Sequence, residues 1–271
     1  MFRRNLLIAF LGLSPVISAP AQTTLLDAGY RQMYNLQFDE AHESFHRWEQ
    51  QHPDDPLAPV SDAAAYLFSE FERLHILQSE FFTDDAAFKK RHKLNPDPQL
   101  KQNFEADLTK AGQLTEIALK KSPGDQNAQF SEIMRLGLHS DYLALVEKRY
   151  VAALSEMKTG RSMAEQLVAN NPSYSDAYLA IGVENYMLSL KSAPVRWMLR
   201  LGGAETDKDR GLEKLRLTAE KGHYLLPYAR LLLAVAAMRD HDSGQAKTIL
   251  EALSKQFPRN HLYAEELARM Q

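Results

Sequence analysis

No cysteine occurs among the 271 residues. That excludes disulfide staples, thiolate nucleophiles and thiolate metal sites, and with them the lipid-attachment cysteine of bacterial lipoproteins. Long apolar runs are scarce as well. The stretch Leu6 to Leu13 is too short for a hydrocarbon core of roughly 30 Å, which takes about 20 residues to cross, so stable membrane insertion is not expected. Positive charge is in deficit, with 32 Lys and Arg against 35 Asp and Glu, which leaves no clustered cationic surface for nucleic acid. No convincing two-residue alternation marks a strand. The short motifs of catalysis are absent too: no H-E-x-x-H, no G-x-S-x-G, no phosphate-cradling glycine loop and no dinucleotide fingerprint. Gly202-Gly203 comes closest, but it lacks the lysine and the strand–loop–helix context and reads as a turn.

The N-terminus carries Arg3-Arg4, then the apolar run, then Ala19-Pro20-Ala21, which is the order of a secretory signal peptide. Residues 1–21 are therefore set apart from the fold. Cleavage after Ala21 is expected to leave a mature form that starts at Gln22 and resides in the periplasm or outside the cell. Phe2 stands where a twin-arginine signal has Ser or Thr, so the general secretory route fits better. Without residues 1–21 the balance is 30 basic against 35 acidic residues, a net of −5, and the 45% hydrophobic content of the chain argues for a folded domain over 22–271.

One spacing recurs along that domain. A small residue is followed by core positions four and seven residues on and by proline twelve on: Ala41, Phe45, Trp48, Pro53; Ala111, Thr115, Ala118, Pro123; Gly160, Ala164, Leu167, Pro172; Ala246, Leu250, Leu253, Pro258. Offsets of four and seven line one helix face, and proline ends the helix because it has no amide donor and clashes with the preceding turn. A fifth copy, Gly211, Leu215 and Thr218, has His223 in the proline place. Upstream, Leu25, Ala28 and Gly29, and later Tyr178, Ile181 and Gly182, supply the matching first-helix positions.

These residues resemble the tetratricopeptide repeat, and the stretches Tyr34 to Ala41 and Ser175 to Leu225 resemble those of uncharacterised exported tetratricopeptide proteins of bacteria. The resemblance implies an all-α fold: a right-handed, tetratricopeptide-like α-solenoid of about five helical hairpins plus a closing helix over 261–270, stacked into one curved domain. The prolines lie 70, 49 and 51 residues apart in the middle of the chain. Longer first helices or inserted loops account for those gaps, and Ala63 to Glu80 and Gln129 to Leu154 read as long helices.

In tetratricopeptide arrays the first helices line the concave surface, and here they carry Tyr30, Tyr34, Tyr66, Phe68, Phe71, Tyr142, Tyr150, Tyr178 and Tyr186. Tyrosine combines apolar area with a polar tip and suits a groove that grips a peptide or small ligand, although about half of these positions are expected in the core. The polar candidates for that groove are Glu70, Arg73, Glu184 and Asn185. His42 and His46 stand four apart on a helix, a spacing that can clamp a divalent cation, but Ala41 and Phe45 already take the core positions, so a solvated face is the expected reading and no metal or other cofactor is assigned. Asp54-Asp55 and Asp84-Asp85 read as helix-end acids.

The segment Ala193 to Leu201 stands outside the repeat. Arg196 and Arg200 lie four apart beside Trp197, Met198 and Leu201, which suggests a short amphipathic helix after Pro194. It reads as a lid over the groove, as core filling, or as a contact with a membrane or a partner, with Arg196 and Trp197 as its binding candidates. The expected function is an exported, non-catalytic scaffold for protein or peptide partners. The alternative is a periplasmic small-solute binding protein beside a transporter, and a helical-repeat enzyme without a recognisable motif is a third, weaker reading. An open aromatic groove favours peptide, and a capped pocket favours solute.

Overall fold

A computed structural model describes residues 23–78 and 94–270. The expected signal peptide, the end of the Ala63–Glu80 stretch and Asp84-Asp85 lie outside the described residues. Within them the chain forms twelve α-helices and no strand. The helices are α1 (Leu25–Tyr34), α2 (Phe38–Gln51), α3 (Leu57–Arg73), α4 (Pro98–Lys121), α5 (Gln126–Asp141), α6 (Tyr150–Asn170), α7 (Tyr178–Ser189), α8 (Ala193–Leu201), α9 (Lys208–Lys221), α10 (Leu226–Arg239), α11 (Ser243–Gln256) and α12 (His261–Arg269). They pack in neighbouring pairs, α1 with α2, α3 with α4, α5 with α6, α7 with α9 and α10 with α11, and α12 closes the series. The architecture is thus solenoid-like. No described helix is long and apolar enough to cross a membrane.

The boundaries follow from local chemistry. Thr24 and Asp27 form a reciprocal capping box at α1, and the side chains of Asp97, Asp125, Asp207, Asp242 and Asn260 accept amides at the starts of α4, α5, α9, α11 and α12. Helices α2, α4, α6 and α11 each stop two residues before a repeat proline. Helix α9 stops at the same place with His223 there instead. The buried Asp176 carboxylate accepts the backbone amides of His223, Tyr224 and Leu225 at 2.9–3.2 Å, and a proline at 223 would have no amide to give.

The spacing read from the sequence maps onto packing. Ala41, Phe45, Ala111, Thr115, Gly160, Ala164, Gly211, Leu215, Ala246 and Leu250 are all buried. The same close approach recurs in two hairpins: a Cβ on Gly29 would stand 2.3 Å from the Phe45 ring, and one on Gly182 would stand 2.9 Å from Leu215. Only glycine lets the paired helices come this near.

The expected long helices are shorter. Helix α3 ends at Arg73 because His75 takes a left-handed conformation, φ 56°, which lets the Ile76 amide reach back to the Phe71 carbonyl. The stretch Gln129–Leu154 is broken by a π-helical turn, Tyr142–Val146, and by Lys148 at φ 59°. The wide proline spacing comes from inserted segments, 74–97 and α8, as one of the two readings had it, and from long second helices, 24 residues in α4 and 21 in α6.

The series closes on itself. Asn260 donates to the Tyr34 carbonyl at 2.9 Å, the Arg259 amide donates to Asn35 Oδ1 at 3.1 Å, and the Tyr34 hydroxyl donates to the Tyr224 carbonyl at 2.9 Å. Tyr30 stacks on Tyr224 with ring centres 4.7 Å apart, and Phe68 of α3 meets Tyr228 of α10 edge-on at 5.5 Å. One apolar core runs from Leu26 in the first hairpin to Leu253 and Tyr263 in the last elements.

Candidate functional site

Closure turns the inner faces of α1, α3, α5, α7 and α10 toward a common space. It is a cavity of about 100 Å³ whose walls include Tyr30 and Tyr34 from α1, Phe68 from α3, Phe130 and Met134 from α5, Leu179 and Val183 from α7, and Tyr228 from α10. A smaller space of about 50 Å³ adjoins it and shares Met33, Tyr34, Phe68 and Tyr228. Exposed Gly137 lies on the wall of the larger cavity, where a Cβ would meet nothing within 4 Å, and it marks where that space reaches solvent.

The polar groups of the wall divide sharply. Tyr30 Oη lies 2.9 Å from Ser61 Oγ, Tyr34 is bound to the Tyr224 carbonyl, and Asp176 is saturated by three backbone amides. Burial raises the Asp176 pKa, and those amides pull it back down. The carboxylate of half-buried Asp141, the last residue of α5, has no hydrogen bond or ion pair with any described residue, and desolvation pushes it up to about 7. Tyr228 is raised well above the usual phenol range by burial and then by the nearby Asp141 charge. Among the described residues, no Lys, Arg or His lines the cavity.

Of the nine residues expected to bind, Tyr30 and Tyr34 reach this space. Tyr142 is buried in a separate cluster, with its ring 5.2 Å from Phe104 and Lys101 over its face. Glu70 is buried, clamps Arg73 through two bonds of 2.7 and 2.8 Å, and accepts the Asp97 amide, so this pair fastens the connection ahead of α4. Glu184 and Asn185 are fully buried. They take the amides of Glu205 and Asp207, and Arg161 meets Glu184 at 3.1 Å, which pins the α8–α9 connection onto α7. These polar groups hold loops in place and do not line the cavity. Sequence reasoning missed Asp141 and Tyr228. Asp141 lay inside a stretch read as one uninterrupted helix, where a lone acid looks like surface.

His42 and His46 do not form a merely solvated face. Both reach the buried Asp62, His42 through Nδ1 and His46 with Nε2 at 2.8 Å, and Asp107 shares a hydrogen bond with Asp62. Burial and the Asp62 charge push Asp107 up to about 8. Among the described residues no group of three or more His, Asp or Glu is arranged to hold a metal ion.

Helix α8 neither covers the cavity nor fills the core. It has no buried residue and contributes nothing to the cavity wall. Its arginines fold back, Arg196 onto the Lys191 carbonyl at 2.7 Å and Arg200 onto Thr206 Oγ1 at 2.6 Å, while Trp197, Met198 and Leu201 are 64%, 63% and 70% exposed. No known family matches the chain, and no curated protein or solved structure shows significant similarity to it.

Proposed function

We propose that the chain is an exported, non-catalytic, tetratricopeptide-like protein whose right-handed array of hairpins closes around a small apolar solute. One observation carries this reading: the inner helices of all five hairpins contribute to a single cavity. A peptide groove needs an open concave surface. Here Tyr30 and Tyr34, the aromatics that would grip a peptide, are buried behind the contact between the first and last elements. A partly open, mostly apolar concavity with few polar groups is instead the usual form of a small-molecule site.

The test is ligand-observed NMR with small alcohols, comparing the chain with Gly137→Leu. A leucine there fits without a clash at Cβ, on a residue that lines the space. Saturable binding that the substitution abolishes is the expected result; binding unaffected by the substitution, or none at all, would refute the proposal. Export predicts a mature amino terminus at Gln22, and an intact Met1 in the envelope fraction would contradict it.

A second reading rests on α8. Its arginines are tied to neighbouring polar groups and its apolar side is exposed, which fits a docking helix for a protein partner and keeps the scaffold role alongside solute binding.

A further inference from the structure

We infer that the solute is a small organic cation, an ammonium on a short apolar body, whose charge rests against the Asp141 carboxylate between the aromatic walls of the cavity. This inference rests on the solute-binding reading above and names the ligand class for the same site.

Asp141 stands where a carboxylate is hard to explain by folding alone. It ends α5, where the chain passes without a break into the π-helical turn Tyr142–Val146. Its carboxylate is half-buried on the cavity wall and has no partner among the described residues. The π-helical turn that follows it is a local departure of the kind found often at functional sites. The other acid in the wall, Asp176, has its acceptor capacity taken up by backbone amides. Asp141 is therefore the one wall acid left with free lone pairs.

The remaining titratable groups facing the space are phenols: Tyr30 and Tyr34 on α1 and Tyr228 on α10. On α5 itself, His139 is held by Glu156 of α6 at 2.8 Å and Arg135 by Glu132, so neither turns a charge toward Asp141. With acids and no base in the wall, an anionic solute is disfavoured. The wall carries the rings of Tyr30, Tyr34, Phe68, Phe130 and Tyr228, and aromatic rings attract an ammonium while accepting its apolar body. Volume limits that body. An apolar cavity of about 150 Å³ takes up benzene, so about 100 Å³ with an opening suits a cation of similar or smaller size.

The test titrates the full chain at about pH 8 with n-butylammonium, n-hexylammonium and choline, each beside an uncharged counterpart: n-butanol, n-hexanol and the tert-butyl analogue of choline. At least one ammonium should bind roughly ten-fold or more tightly than its counterpart, as a charge-assisted contact in a dry site allows. Asp141→Asn should remove that preference, and Asp141→Glu should restore part of it. Acidification to about pH 5.5, which protonates a carboxyl that titrates near 7, should also weaken the preference. Equal binding of both sets, or a preference that survives in a folded Asp141→Asn, would overturn the inference and leave the cavity reading standing. Failure of every compound to bind would overturn both.

Discussion

At the scale of single residues, the two kinds of glycine in this fold separate packing from function. A Cβ on Gly211 would stand 2.6 Å from the Tyr186 backbone nitrogen, and backbone cannot move aside cheaply. Gly211→Ala should therefore cost about 1–3 kcal/mol in chemical unfolding, while Gly137→Ala, in open space on a helix, should gain up to about 1 kcal/mol from helix propensity. Asp141 makes the same point through pH. Its folded pKa lies above the unfolded value, so the stability it contributes is fully present below about pH 4 and is lost as pH rises through 7. Asp141→Asn should consequently be the more stable protein at pH 8, by on the order of 2 kcal/mol, with no advantage near pH 4. Melting curves across that range check it; an advantage that grew on acidification would contradict the assignment. A residue that weakens the fold at neutral pH is the pattern expected of a binding group.

At the scale of elements, the second helices were legible because small residue, core residue and proline recur at fixed offsets: the small residue and the position four on are buried in every copy, the position seven on is half-buried at Trp48 and Ala118, and the proline place follows a helix end. The break between α5 and α6 was not legible. Periodicity continues through Tyr142–Val146, and the left-handed turn falls on Lys148, a residue that carries no turn signal in sequence. Glu70, Glu184 and Asn185 were misjudged for a related reason. Polar residues among aromatics look groove-facing, but here they satisfy backbone amides of long connections that the repeat pattern does not describe. Helix α8 was legible as an amphipathic helix, and its orientation was not, because nothing in sequence says that Arg196 and Arg200 cap nearby polar groups while Trp197 faces outward. Its exposure makes the core reading testable: Trp197→Ala should shift unfolding free energy by less than about 0.5 kcal/mol, against about 3–5 kcal/mol for a truncated buried tryptophan. A docking role adds that a photoreactive group at 197 should crosslink a partner and one placed at Lys247 should not.

At the scale of the whole molecule, the number of hairpins and the closing helix followed from the repeat, but closure did not. It depends on contacts more than 180 residues apart, such as Asn260 with Tyr34 and Tyr224 with Tyr34, which no local spacing encodes. Closure is also what makes the concave face a cavity, so the choice between peptide and solute lay beyond the sequence. The most direct test is a distance between the two ends of the array. With no native cysteine, single cysteines at Glu40 and Arg259 can carry spin labels without side reactions. These two residues are close enough for their charges to interact. Pulsed electron resonance should then give one narrow distribution below about 20 Å, whereas an open row of five hairpins stacked at 8–10 Å per helix layer would separate the labels by roughly 40 Å or more and would contradict the closed cavity.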